Sequence, residues 1–157
     1  ERKLTAVNKE EILKGAYWKN KSNASYDIII LCTGVIVAEV LKSIDDTKYD
    51  GLNIGVIQVI SPDKVYKDWE ECSKQHGKKS HIETLMCNIN KSVPLISIID
   101  GHSSALTWIG GVLGHKIYPM GVNKFGKSGD LKEIYSYTNI DFNSIVDNIA
   151  KSVIDNK

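Results

Sequence analysis

Residues 26–34 read Y-D-I-I-I-L-C-T-G, and residues 52–60 read L-N-I-G-V-I-Q-V-I. The second reads as a strand, and the first, over residues 26–32, is a continuous apolar run rich in β-branched side chains. That pattern belongs to a strand buried on both faces, the usual situation in a parallel sheet. Thr33 and Gly34 turn the chain after the first run. Between the two runs, Ile36, Val40 and Ile44, with Val37 and Leu41, recur at helical spacing over 35–44, and residues 45–51 end that helix. The pair of runs therefore predicts a βαβ unit with a right-handed crossover.

Downstream the alternation continues. Ser61-Pro62-Asp63 stops the second strand and opens a helix, with Ser61 or Asp63 available to cap its free N–H groups. Residues 74–80 form a charged loop. Ile82, Leu85, Met86 and Ile89 mark an amphipathic helix over 81–90. Residues 94–100, P-L-I-S-I-I-D, form a third strand, and 103–113 a helix weakened by Gly110-Gly111. A short fourth strand lies at 116–120, a loop at 122–130 and a helix at 131–137. A last helix capped by Asp141 carries Ile145, Val146, Ile149, Val153 and Ile154 on one stripe. The order β-α-β-α-α-β-α-β-α-α predicts an α/β domain, its sheet covered by helices on both faces.

Upstream, residues 1–25 are polar and mixed, and read as a lead-in from a preceding domain, with the α/β domain proper at 26–157. Glu1 rather than Met opens the chain, so a larger functional unit is expected. The totals exclude several classes of function. With 20 basic against 19 acidic residues, the chain has no electrostatic footprint for nucleic acid or an anionic membrane. Arg2 is the only arginine, which argues against a buried guanidinium clamp on an anion. No apolar run approaches a membrane span. Cys32, Cys72 and Cys87 are odd in number and widely spaced, which fits a reducing compartment: cytoplasmic, or mitochondrial in a eukaryote.

Several residues invite a chemical reading. Thr33, Gly34, Ser61, Asp100 and His102 all fall at strand carboxyl ends, where doubly wound folds bind ligands. They define a candidate pocket for a small acid or nucleotide. The plainer reading makes Thr33-Gly34 a tight turn and Asp100 a helix cap. No G-x-G-x-x-G or P-loop pattern is present. Ser103 and Ser104 follow His102 directly and cannot build a triad, whose members come from separate elements. Cys72, His76 and His81 straddle Gly77-Lys78-Lys79, whose positive charge repels a cation, so no metal site is expected. In F-G-K-S-G, residues 125–129, Gly126 is expected to take an unusual backbone angle and Phe125 to pack inward. Ser128 or Asp130 is expected to cap the following helix. No catalytic residue is assigned.

Four segments in order resemble the C-terminal domain of the thiamine-diphosphate enzymes of the transketolase superfamily. They are E-I-L-K-G-A-Y-W at 11–18, D-I-I-I-L-C-T-G at 27–34, I-G-V-I-Q-V-I-S-P-D at 54–63 and M-G-V-N-K-F-G-K-S-G-D-L-K-E-I-Y at 120–135. The first, and the helix predicted just before residue 94, look closest to the homodimeric pyruvate dehydrogenase decarboxylating component. Trp108 leans toward transketolase. The loop departs from the dehydrogenase pattern D-G-F-G-R-S-D at Asn123, Lys124, Lys127 and Gly129.

The resemblance implies a three-layer fold whose mixed sheet is mostly parallel with one antiparallel strand. It implies that thiamine diphosphate and magnesium are held by other domains of a homodimeric parent, and that this domain binds no cofactor and assists assembly. Phe125, Gly126 and Ser128 match the family's F-G-x-S loop, and their implied role is structural. A free-standing ligand-binding module, or a purely structural dimerisation domain, would fit the residues alone.

Overall fold

The computed structural model describes residues 6–47 and 51–156. Residues 1–5 of the lead-in, and 48–50 at the expected end of the first crossover helix, lie outside them. Five strands form one sheet in the order β1-β3-β2-β4-β5. They are β1 (Ala16–Asn20), β2 (Ile28–Thr33), β3 (Ile54–Val59), β4 (Leu95–Ile99) and β5 (Ile117–Met120). β2, β3, β4 and β5 are mutually parallel, and β1 runs antiparallel to β3 with Ala16 opposite Val59. This is the mixed, mostly parallel sheet that the resemblance implies.

Alternate residues of the unbroken apolar strands feed two separate cores. Ile28, Ile30 and Cys32 of β2, with Val56 and Ile98, pack under α2 (Val37–Thr47), α6 (Leu131–Thr138) and α7 (Phe142–Ile154). Ile29 and Leu31, with Ile57 and Leu95, pack under α3 (Pro62–Ser73), α4 (His81–Met86) and α5 (Ile109–Leu113). Three layers result because a strand with side chains buried on both faces needs helices on both sides.

Three local readings change. The segment read as lead-in supplies α1 (Ala6–Leu13) and the edge strand β1. Only five residues long, and paired on one side, β1 carries too short an alternation to stand out beside the buried runs. The helix expected over 81–90 stops at Met86. Beyond it the Asn90 side chain accepts from the Ser92 N–H and hydroxyl, competing with helical hydrogen bonding. The helix expected over 103–113 divides into a 3-10 turn, Ser103–Leu106, and α5. Gly110-Gly111 weakens the join, and a side chain at Gly110 would lie 2.8 Å from Ile117 Cγ2.

Among the described residues no helix is long and apolar enough to cross a membrane.

Candidate functional site

The five strand-end candidates do gather on one edge of the sheet. Thr33 closes β2 opposite Ile99 of β4, so it lies beside Asp100 and His102. Ser61 follows β3, the other neighbour of β2. Gly34 sits at φ 73°, in the left-handed region where glycine is favoured, and a 3-10 turn over Gly34–Ile36 leads into α2.

Their polar groups serve the local turns. The Ser61 hydroxyl donates to Asp63 Oδ1 at 2.8 Å and does not cap α3. That bond, ahead of a backbone N–H contact, holds the exposed Asp63 carboxyl below its ordinary range. Thr33 makes no side-chain cap. His102, not Asp100, caps the next turn, its Nδ1 accepting from the Ser104 N–H and lying 2.7 Å from Ser104 Oγ. Among the described residues no side-chain hydrogen bond joins two of the five candidates.

A second layer of contacts fixes the loop after β5 onto this edge. Gly121 passes so close to the β4 turn that a Cβ there would stand 2.6 Å from Gly101 O and 2.8 Å from Ser103 N. The Val122 N–H donates to Gly101 O at 2.7 Å, and Ser103 Oγ donates to Asn123 Oδ1 at 2.7 Å. Beyond that clamp, Phe125 projects into solvent, 96 % exposed. This corrects the inward packing expected of it: the clamp at Gly121 and Asn123 leaves the next residues standing off the core. Gly126 is not among the glycines with positive φ, so the unusual backbone angle expected there is absent as well. Asp130, not Ser128, caps α6, its carboxylate accepting from the Glu133 N–H at 2.9 Å.

A roomy hollow lies elsewhere. A groove of about 870 Å³ opens near the amino ends of β2 and β4, between α1, α4 and the loop that leads to Tyr26. A smaller hollow of about 240 Å³ holds Lys14, Asp68 and His81. None of the five candidates lines either. His81, which sequence reading weighed only as a metal ligand, acts as a tie. Its N–H donates to Asp68 at 2.6 Å, and its Nε2 meets the Ala16 carbonyl at 2.7 Å, joining α4 to β1. Cys72 shares Asp68 through a 3.8 Å contact. Among the described residues no group of three or more His, Cys, Asp or Glu is placed to hold a metal ion. No step through a magnesium–diphosphate group is assigned to these residues.

Residues 15–141 match the family model described as the transketolase-like TK C-terminal domain. The chain belongs to that family. The match begins at Gly15, so it takes in β1 as well as the parallel strands. The fold agrees with that of solved transketolases. The Pichia stipitis enzyme, in structures that include complexes with sedoheptulose 7-phosphate and fructose 6-phosphate, is 23 % identical over 92 % of this chain, with a TM-score of 0.65. Leishmania mexicana transketolase is 16 % identical over 93 %, with a TM-score of 0.68. A split-gene transketolase described as an inactive β4 tetramer is 12 % identical over 92 %, with a TM-score of 0.65. The chain covers 19 % of the Pichia and Leishmania chains and 44 % of the split-gene chain. No curated protein matches the chain.

Proposed function

We propose that the chain is the C-terminal accessory and assembly domain of a homodimeric, thiamine-diphosphate-dependent enzyme, and that the parent is a transketolase. The observation that carries this reading is the family match over residues 15–141, with transketolases as the matched structures. The parent's cofactor, thiamine diphosphate with magnesium, supplies the carbanion chemistry, and other domains hold it. Five candidates on one edge with no side-chain hydrogen bond among them suit a packing domain better than a reacting centre. A pyruvate dehydrogenase decarboxylating component is the neighbouring reading, resting on the segment Glu11–Trp18; the matched transketolases weigh against it. Three free cysteines fit a reducing compartment such as the cytoplasm.

The test compares two polypeptides, the 157-residue chain and the product of its complete reading frame. With thiamine diphosphate and magnesium added, the long form transfers a ketol unit from xylulose 5-phosphate. The short form shows neither transfer nor a calorimetric signal with thiamine diphosphate. Pyruvate decarboxylation by the long form would replace transketolase with the dehydrogenase. Tight cofactor binding by the short form would overturn the accessory role altogether.

A further inference from the structure

The carboxyl edge of the sheet carries a row of large apolar side chains that no described residue covers. Leu13, 72 % exposed, precedes β1, whose first residue lies opposite the last residue of β3. Its carbonyl accepts from Lys64 Nζ, which sets it beside the start of α3. Ile60, 46 % exposed, follows β3, and Val35, 67 % exposed, follows β2. Phe125 follows β5 on the clamped loop. The row thus spans β1, β3 and β2, passes over the polar end of β4, and resumes after β5.

Such a row is costly in water and marks an interaction surface. The Phe125 loop cannot hide its ring by folding back, because Gly121, Val122 and Asn123 are fixed to the β4 turn. Lysines flank Phe125 in sequence and gather over Tyr137. Lys124 Nζ lies 4.9 Å and Lys127 Nζ 5.6 Å from the centre of the Tyr137 ring, and Lys124 also donates to the Tyr137 carbonyl. Among the described residues neither lysine has a carboxylate partner.

We infer that this edge, from Leu13 through Ile60 and Val35 to Phe125, is the face on which the rest of a transketolase-type enzyme packs, with Phe125 seated in an apolar socket rimmed by carboxylates. The inference rests on the proposed parent and adds to it the contact face and the chemistry of the partner surface. The occupant follows from two facts. In the matched Pichia and Leishmania transketolases a domain of this fold is about a fifth of the chain, so most of the polypeptide is available to cover it. The two lysines of this loop, which have no carboxylate partner among the described residues, call for carboxylates in the partner surface.

Amide exchange on the long and short polypeptides tests it. Residues 34–36 and 124–128 exchange at least about tenfold more slowly in the long form, because a covered segment opens less often. Phe125→Asp and Val35→Asp abolish that protection, yet leave the unfolding midpoint of the short form unchanged, since both side chains are exposed there. Ile154→Asp is the control. Ile154 is 70 % exposed at the other end of the sheet, where Lys116, just before β5, reaches the Asp155 carbonyl, and the change leaves the protection intact. A long form that transfers ketol units while this edge exchanges as fast as in the short form overturns the interface and spares the parent assignment. A dimer of the short form that Val35→Asp dissolves also overturns it, making a second copy the occupant. A reading frame with no transketolase portion overturns both.

Discussion

Trp18 of β1 stacks on Tyr26, at the entry to β2, with ring centroids 5.4 Å apart and planes 9° from parallel. The rings lie over Gly55 of β3, the strand between them, and the Trp18 indole N–H donates to the Leu85 carbonyl at 3.2 Å. One aromatic pair thus fastens the antiparallel strand to the parallel sheet and to the helix layer above it.

Gly55 is where that pair is most vulnerable. A Cβ there would come within 2.6 Å of Ile29 Cδ1, 2.8 Å of Tyr26 Cε1 and 2.9 Å of Trp18 Cζ3. Overpacking of this kind costs about 1–3 kcal/mol. The entropy gained on replacing glycine with alanine is smaller, about 0.4–1 kcal/mol. Gly55→Ala therefore lowers the urea midpoint with an unchanged slope. A raised midpoint would show that the rings slide apart freely.

β1 is expected to be integral to the domain. Residues 1–20 hold Ala16 and Trp18, both buried in the core beneath α3 and α4. Their removal strips one side of β3 and uncovers Ile57 and Val59. Deletion of residues 1–20 should abolish a cooperative thermal transition and raise binding of a hydrophobic dye. A deletion variant that melts as sharply as the intact chain would make the segment an appendage.

Ser80 and Glu83 form a capping box on α4. Ser80 N–H donates to Glu83 Oε2 at 2.7 Å, and Ser80 Oγ accepts from the Glu83 N–H. Ser80→Ala should cost about 1 kcal/mol. Ser80→Ala with Glu83→Ala should cost less than the two separate losses added together, because both remove one reciprocal device. Strict additivity in denaturant titrations would contradict the box.

Thiol chemistry should separate the three cysteines. Burial pushes the Cys32 thiol up to about 12, and the buried Cys72 is raised as well, first by desolvation and then by Asp68. Cys87 is exposed. At pH 8 one thiol should react quickly with a disulfide reagent, and Cys87→Ser should remove that phase. The thiolate is the nucleophile, so a fast reaction at Cys32 would require local opening. Because the native Cys32 thiol holds its proton above pH 9, where the unfolded one loses it, stability falls as pH rises through 9 and goes on falling to about 12. Cys32→Ala should flatten that alkaline slope.

The parallel core was legible because its signals are strong. β2 is a nearly unbroken apolar run, β3 is rich in Ile and Val, and the stripe on α7 repeats at helical spacing. β1 was not legible: Ala16, Trp18 and the partly exposed Tyr17 and Lys19 make a short alternation that also suits a loop. The strand-end candidates share one edge, since topology alone puts them there. What sequence could not give was the direction of each side chain. Nothing in F-G-K-S-G says whether Phe125 faces the core, because that depends on how tightly Gly121 passes the Gly101 carbonyl. His81 carried an equally hidden role, since its partner, the Ala16 carbonyl, belongs to a strand that the pattern did not show.

The strand order has a consequence for biosynthesis. Of these five strands β1 leaves the ribosome before the others, and it has no neighbour until β3 has been translated, while β2 must wait for β4 before its second side is covered. Vectorial synthesis thus delivers a sticky edge early and its cover late. Trp18 spends that interval as an orphan in the nascent polypeptide, a natural handle for chaperones and a fluorescent reporter of the moment when the sheet closes over it.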